Sequence, residues 1–134
     1  MTATLVLTVD VEAPVQQTWD AAVDWAGQGE WMFATSVKAT AQDGQGVGGK
    51  IEARSGYGPL AVLDTMEIVE WAPPHRCHVL HTGRVVKGTG TFEVKPRGTL
   101  STFVWREDLE LPLGLLGRLG WPLGLRTTSI FKKT

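Results

Sequence analysis

The residues best suited to chemistry are one carboxylate and a group of imidazoles. In GTLSTFVWREDLEL (98–111), Phe103, Trp105, Leu109 and Leu111 share one face of an alternating strand, while Thr102, Arg106, Asp108 and Glu110 share the other. The same alternation sends Glu107 to the apolar face, among the aromatics. A carboxylate there loses hydration and becomes a candidate general acid or base, or an anchor for a polar group on a ligand. A bulge that rotates it outward, or pairing with Arg54 or Arg84, would make it structural instead. His75, His78 and His81 lie close together, but His78 and His81 are three apart in a strand and face opposite sides, which argues against a shared metal. His81 has Cys77 and Val79 as face-mates, which makes it the candidate proton carrier or hydrogen-bond donor; a satisfied core histidine is the competing reading. His75 sits in the Pro73–Pro74 corner and is expected at the surface.

Other groups are ambiguous or inert. Asp64 shares parity with Val62, Met66 and Ile68, yet a bulge could turn it either way. Tyr57, between two glycines, is a candidate lid residue, and the lone Cys77 reads as packing rather than as a nucleophile. GQGVGGK (44–50) lacks the Lys-Ser/Thr ending and the following helix of a phosphate loop. GxSxG, HExxH and Cys/His metal spacings are absent, so no metal and no cofactor is expected, and any catalysis would be cofactor-free acid–base chemistry.

These groups must be positioned by a chain of 134 residues with formal net charge −1, long enough for one domain (1–134) with a sizeable core. The near-neutral balance excludes the electrostatic footprint of a nucleic-acid binder. The first residues lack a basic n-region and an apolar h-region, and no run reaches the ~18 apolar residues of a spanning helix, so no stable membrane insertion is expected. One cysteine fits a cytoplasmic location. Six tryptophans point to a substantial interior or a lined pocket.

The periodicity predicts a strand over 4–11, then an amphipathic helix opened by Pro14 and running to about Trp25, then a short helical turn at Glu30–Phe33. Period-two patterning takes over, predicting strands at 35–41, 50–55, 61–71, 76–82, 85–95 and 100–111 joined by short turns, an antiparallel meander of six to seven strands. Gly88 and Gly90 are read as permitting sharp sheet curvature. From Leu113 the alternation stops, and Leu115, Leu116, Leu119, Leu123, Ile130 and Phe131 mark one stripe of a helix weakened by Gly117, Gly120 and Pro122.

VEAPVQQTWDAAVDWAGQGEW (11–31), GVGGKIE (46–52), EIVEWAPPHRC (67–77) and GTLSTFVWRED (98–108), in that order and spacing, resemble the Bet v 1-like, START-related (SRPBCC) superfamily, and within it the polyketide cyclase/dehydrase-like group. The resemblance covers the whole chain. It implies an α+β helix-grip fold: a curved antiparallel sheet wrapped around a C-terminal helix, with two short N-terminal helices closing one end. Family members commonly continue that helix beyond the point where this chain reaches Lys132, Lys133 and Thr134.

The family usually leaves a cavity between sheet and helix for an apolar or amphipathic small molecule. Apolar parity assigns its walls to Ile51, Val62, Met66, Val79, Phe92, Phe103 and Trp105 on the sheet, with Leu115, Leu116, Leu119 and Leu123 on the tail. The primary expectation is a carrier or sequestering protein for a lipid, polyketide-like aromatic or isoprenoid. The alternative is a cyclase, dehydratase or isomerase in which Glu107 or His81 moves a proton. A third reading makes residues 111–131 a membrane-interface segment, for which Arg118 and Arg126 are a thin polar face.

Overall fold

The computed structural model describes residues 2–30, 35–55 and 61–110. The chain runs β1 (Thr2–Val11), α1 (Val15–Ala22), a 3-10 turn (Ala26–Glu30), β2 (Thr35–Ala41), a second 3-10 turn (Gln42–Gly44), β3 (Lys50–Ser55), β4 (Val62–Ala72), β5 (Arg76–Thr82), β6 (Lys87–Arg97) and β7 (Leu100–Glu110). All seven strands form one curved antiparallel sheet in the order β1-β7-β6-β5-β4-β3-β2. Strands β2 to β7 are a meander, and β1 returns to pair with β7 from Thr2↔Glu110 to Val11↔Ser101. The tail residues expected in the cavity wall, Leu115, Leu116, Leu119 and Leu123, lie outside the described residues, as do Tyr57 and the membrane-interface reading of 111–131.

Alternation decides which face is inside. On β7, Ser101, Phe103, Trp105, Glu107 and Leu109 are buried, and on β5 so are Cys77, Val79 and His81. From these rows Cys77, Val79, Phe103 and Trp105 join Val11, Trp19, Trp25, Ile51, Ile68 and Val94 in one core cluster on the concave face. Phe92 links the aromatics, meeting Phe103 edge-on at 5.5 Å and Trp105 at 5.2 Å, geometries that aromatic quadrupoles favour. Val62 belongs to a smaller cluster with Val86 and Leu109.

Helix α1 follows Pro14, whose fixed φ of −62° suits the entry to a helix. It is pinned to the sheet by two buried hydroxyls. Ser101 Oγ donates to the Ala13 carbonyl at 2.7 Å, so its proton is committed, and Thr18 Oγ1, 2.6 Å away, is the donor between the two. Trp19 lies edge-on against Trp71.

The helix ends at Ala22 rather than near Trp25, and a 3-10 turn follows at Ala26–Glu30; of the turn expected at Glu30–Phe33, residues 31–33 lie outside the described residues. Two side-chain bonds explain the early stop. Gln28 Nε2 donates to the Ala22 carbonyl at 2.9 Å, satisfying an acceptor that the helix end would leave orphaned. Trp25 Nε1 donates to the Gly44 carbonyl at 2.7 Å, drawing Trp25 towards the β2–β3 connection. A Cβ at Gly44 would lie 2.5 Å from that indole.

Candidate functional site

Between the concave sheet face and the 3-10 turn lies a cavity of about 80 Å³, well above the roughly 10–15 Å³ one ordered water needs. Met66, Val79, Phe92 and Trp105 line it, as the alternation predicts. Ile51 and Phe103, placed by sequence in the same wall, are 1% and 0% exposed and pack into the solid core, and Val62 sits in the satellite cluster. Parity names a face; it does not say which members of that face fill the core and which border the space. Trp25, Gln28, Ala53, Asp64, Val86 and Leu109 also border it. Trp25 stacks on Phe92 with ring centroids 5.8 Å apart.

All the charge on the described wall is gathered in one array. His81 Nδ1 lies 2.7 Å from Asp64 Oδ1, and His81 Nε2 lies 2.7 Å from Glu107 Oε2. Trp105 Nε1 donates to the other Glu107 oxygen, Oε1, at 2.8 Å. Glu107 therefore faces inward, paired neither with Arg54 nor with Arg84, both of which are exposed. Asp64, ambiguous in the sequence, is inward too, because the bulge on β4 falls beyond it, between Ile68 and Glu70.

Proton counting fixes the array's charge. A neutral imidazole has one N–H, so two carboxylate contacts at 2.7 Å require two protons: an imidazolium between two carboxylates, or a neutral ring with one protonated acid. Either way the three residues carry a net charge of about −1 by this count. Burial pushes the His81 imidazolium down, but the hydrogen bonds to Asp64 and Glu107, and their charges, outweigh it and raise its pKa to about 10. The ring is held protonated at neutral pH.

Two glycines make the array possible. His81 is on β5 and Glu107 on β7, two strand spacings or roughly 10 Å apart, with β6 between them. The β6 positions opposite these residues are Gly88, paired with His81 and Leu109, and Gly90, paired with Val79 and Glu107. With no side chain there, imidazole and carboxylate meet over bare backbone. A Cβ at Gly90 would lie 2.7 Å and 2.8 Å from the two Glu107 oxygens. Gly88 has φ +122°, and a Cβ there would fall onto the Asp108 carbonyl. The glycines expected to bend the sheet thus also clear its floor.

Gly90→Ala should therefore force the Glu107 carboxylate aside. The expected result is a loss of about 1–3 kcal/mol, typical of overpacking, with a fall in the His81 pKa readable by imidazole NMR titration. An unchanged His81 titration would show that the carboxylate does not depend on the bare backbone at position 90.

The remaining candidates take no part in the array. His78 faces the other way, with Nδ1 2.7 Å from Thr91 Oγ1, and His75 is exposed. Cys77 borders the cavity, but burial pushes its thiol up to about 12, so it is not a thiolate at neutral pH. Among the described residues, no group of three or more His, Cys, Asp or Glu is arranged to hold a metal ion, and no helix is long and apolar enough to cross a membrane.

The sequence matches, over residues 2–128, the family model described as polyketide cyclase / dehydrase and lipid transport. No curated protein sequence matches. Solved structures share the fold at low identity. DR_A0006 from Deinococcus radiodurans has a TM-score of 0.71 at 14% identity, over 96% of this chain and 95% of that one. The Aha1 dimer from Colwellia psychrerythraea has a TM-score of 0.70 at 10% identity, over 96% and 93%. The Zhui aromatase/cyclase from Streptomyces sp. R1128 has a TM-score of 0.67 at 15% identity, over 84% and 70%.

Proposed function

Because the chain belongs to the polyketide cyclase / dehydrase and lipid transport family, we propose that it holds a hydrophobic or amphipathic small molecule in the concave cavity, as a carrier or sequestering protein. The observation that carries this reading is the wall itself: Trp25, Met66, Val79, Phe92 and Trp105 supply apolar surface, and one polar corner is formed by Asp64, His81 and Glu107. Apolar walls supply affinity, and a few convergent polar groups fix orientation.

Cofactor-free acid–base chemistry is the second reading, favoured by an array in which two protons are shared among three groups on the cavity wall. It is the weaker one, because both ring nitrogens of His81 are engaged and the ring is already protonated at neutral pH, so it is a poor base there. In this reading the carboxylate of Glu107 must do the work.

Mass spectrometry of a solvent extract of the purified protein tests the binding reading, together with titration by the neutral fluorophore N-phenyl-1-naphthylamine. Saturable one-site binding is expected, weakened at least tenfold by Met66→Trp, which fills the cavity. No co-purified molecule and no saturable binding would overturn it.

A further inference from the structure

We propose that the cavity selects amphiphiles with a cationic or hydrogen-bond-donating head group and rejects carboxylates. This deepens the binding reading and rests on it. The described wall carries three charged groups, Asp64, His81 and Glu107, and neither lysine nor arginine. Their contacts leave an excess of one negative charge facing the space. The imidazolium cannot welcome an anion, because both its N–H groups are already given to Asp64 and Glu107.

What the array still offers is acceptor capacity. Each carboxylate oxygen has two lone pairs, and Asp64 Oδ2 accepts from no described residue. The Asp64 and Glu107 side chains are 19% and 10% exposed, against 2% for His81, so the acids and not the ring face an incoming guest. Aromatic rings beside the acids keep the local dielectric low, which strengthens attraction for a donor and repulsion for a carboxylate. A head group bearing N–H or O–H therefore completes the corner, and a carboxylate placed there meets like charge while both imidazolium N–H groups are already committed.

Three eight-carbon probes separate the cases: 1-octylamine, 1-octanol and octanoate, titrated calorimetrically into the wild-type protein at pH 7 and low ionic strength. The expected order is octylamine, then octanol, then octanoate, with at least tenfold between first and last. In Asp64→Asn, whose Oδ1 still accepts from His81 Nδ1 while the imidazolium keeps Glu107 as its counter-charge, the array loses its excess negative charge, and that ratio should collapse to within about fivefold. Octanoate binding as tightly as octylamine to the wild type, while N-phenyl-1-naphthylamine still binds, would overturn the charge selection and leave the binding reading standing. Failure of every probe, N-phenyl-1-naphthylamine included, would overturn both.

Discussion

His81→Leu should lower the free energy of unfolding at pH 7 by about 3–5 kcal/mol, the usual cost of breaking a buried ion pair by removing one partner. The wild-type imidazolium supplies a proton to each of two carboxylates, buried Glu107 and half-buried Asp64; without it, the Trp105 indole is the one N–H contact remaining from the array. Like charges so placed favour protonation of one of them. The variant should therefore regain stability on acidification, when uptake of a proton by one acid relieves the uncompensated charge. A triple variant, Asp64→Leu, His81→Leu, Glu107→Gln, removes all three charges and leaves Trp105 an acceptor. It should recover most of the loss, since uncharged replacements of buried ionic groups are often neutral or stabilising. Urea unfolding curves measure all of this. A single-variant cost below about 1 kcal/mol would show that the array is solvated rather than buried.

Much of that array is legible in the amino-acid sequence alone. Strict alternation in FVWREDLEL is enough to set Glu107 among Phe103, Trp105 and Leu109, because a half-buried strand has only two faces. The same parity groups His81 with Cys77 and Val79. Strand bounds follow from the period, with β2, β3 and β5 falling at the predicted residues. Asp64 is ambiguous in sequence because a bulge reverses parity, and the position of the β4 bulge, between Ile68 and Glu70, has no strong signal in side-chain type.

The link between His81 and Glu107 is harder still to read. It depends on which residues lie opposite across β6, and register is a property of pairing rather than of one segment. A signal does exist in the Gly88-x-Gly90 pair within an otherwise β-prone strand, which marks a patch of sheet without side chains. Gln28 carries no such signal, because it lies in an irregular stretch after a helix, where no period assigns a face, and Trp25, read as the end of that helix, in fact follows it.

The second large effect is on the alkaline side. An unfolded imidazole sheds its proton near the ordinary value of 6.5, whereas folded His81 keeps it to about 10. Between those limits the folded state binds one more proton than the unfolded, so stability falls as pH rises, by about 1.4 kcal/mol per unit. The contribution is fully present below about pH 6.5 and gone above about pH 10. Cys77 adds a limb of the same sign at higher pH, since burial lifts its thiol from 9.0 to about 12. The Arg106–Asp108 pair is on the surface and belongs to the acid side, so it leaves this window untouched. Wild-type protein should therefore lose about 3 kcal/mol between pH 7 and pH 9, while His81→Leu should show little slope there. Parallel curves for the two proteins would mean that His81 is not held protonated. A sloping wild-type curve would tie stability to the same shared protons that give the cavity its negative corner. Octylamine at saturating concentration should then raise the wild-type curve by more than that of Asp64→Asn.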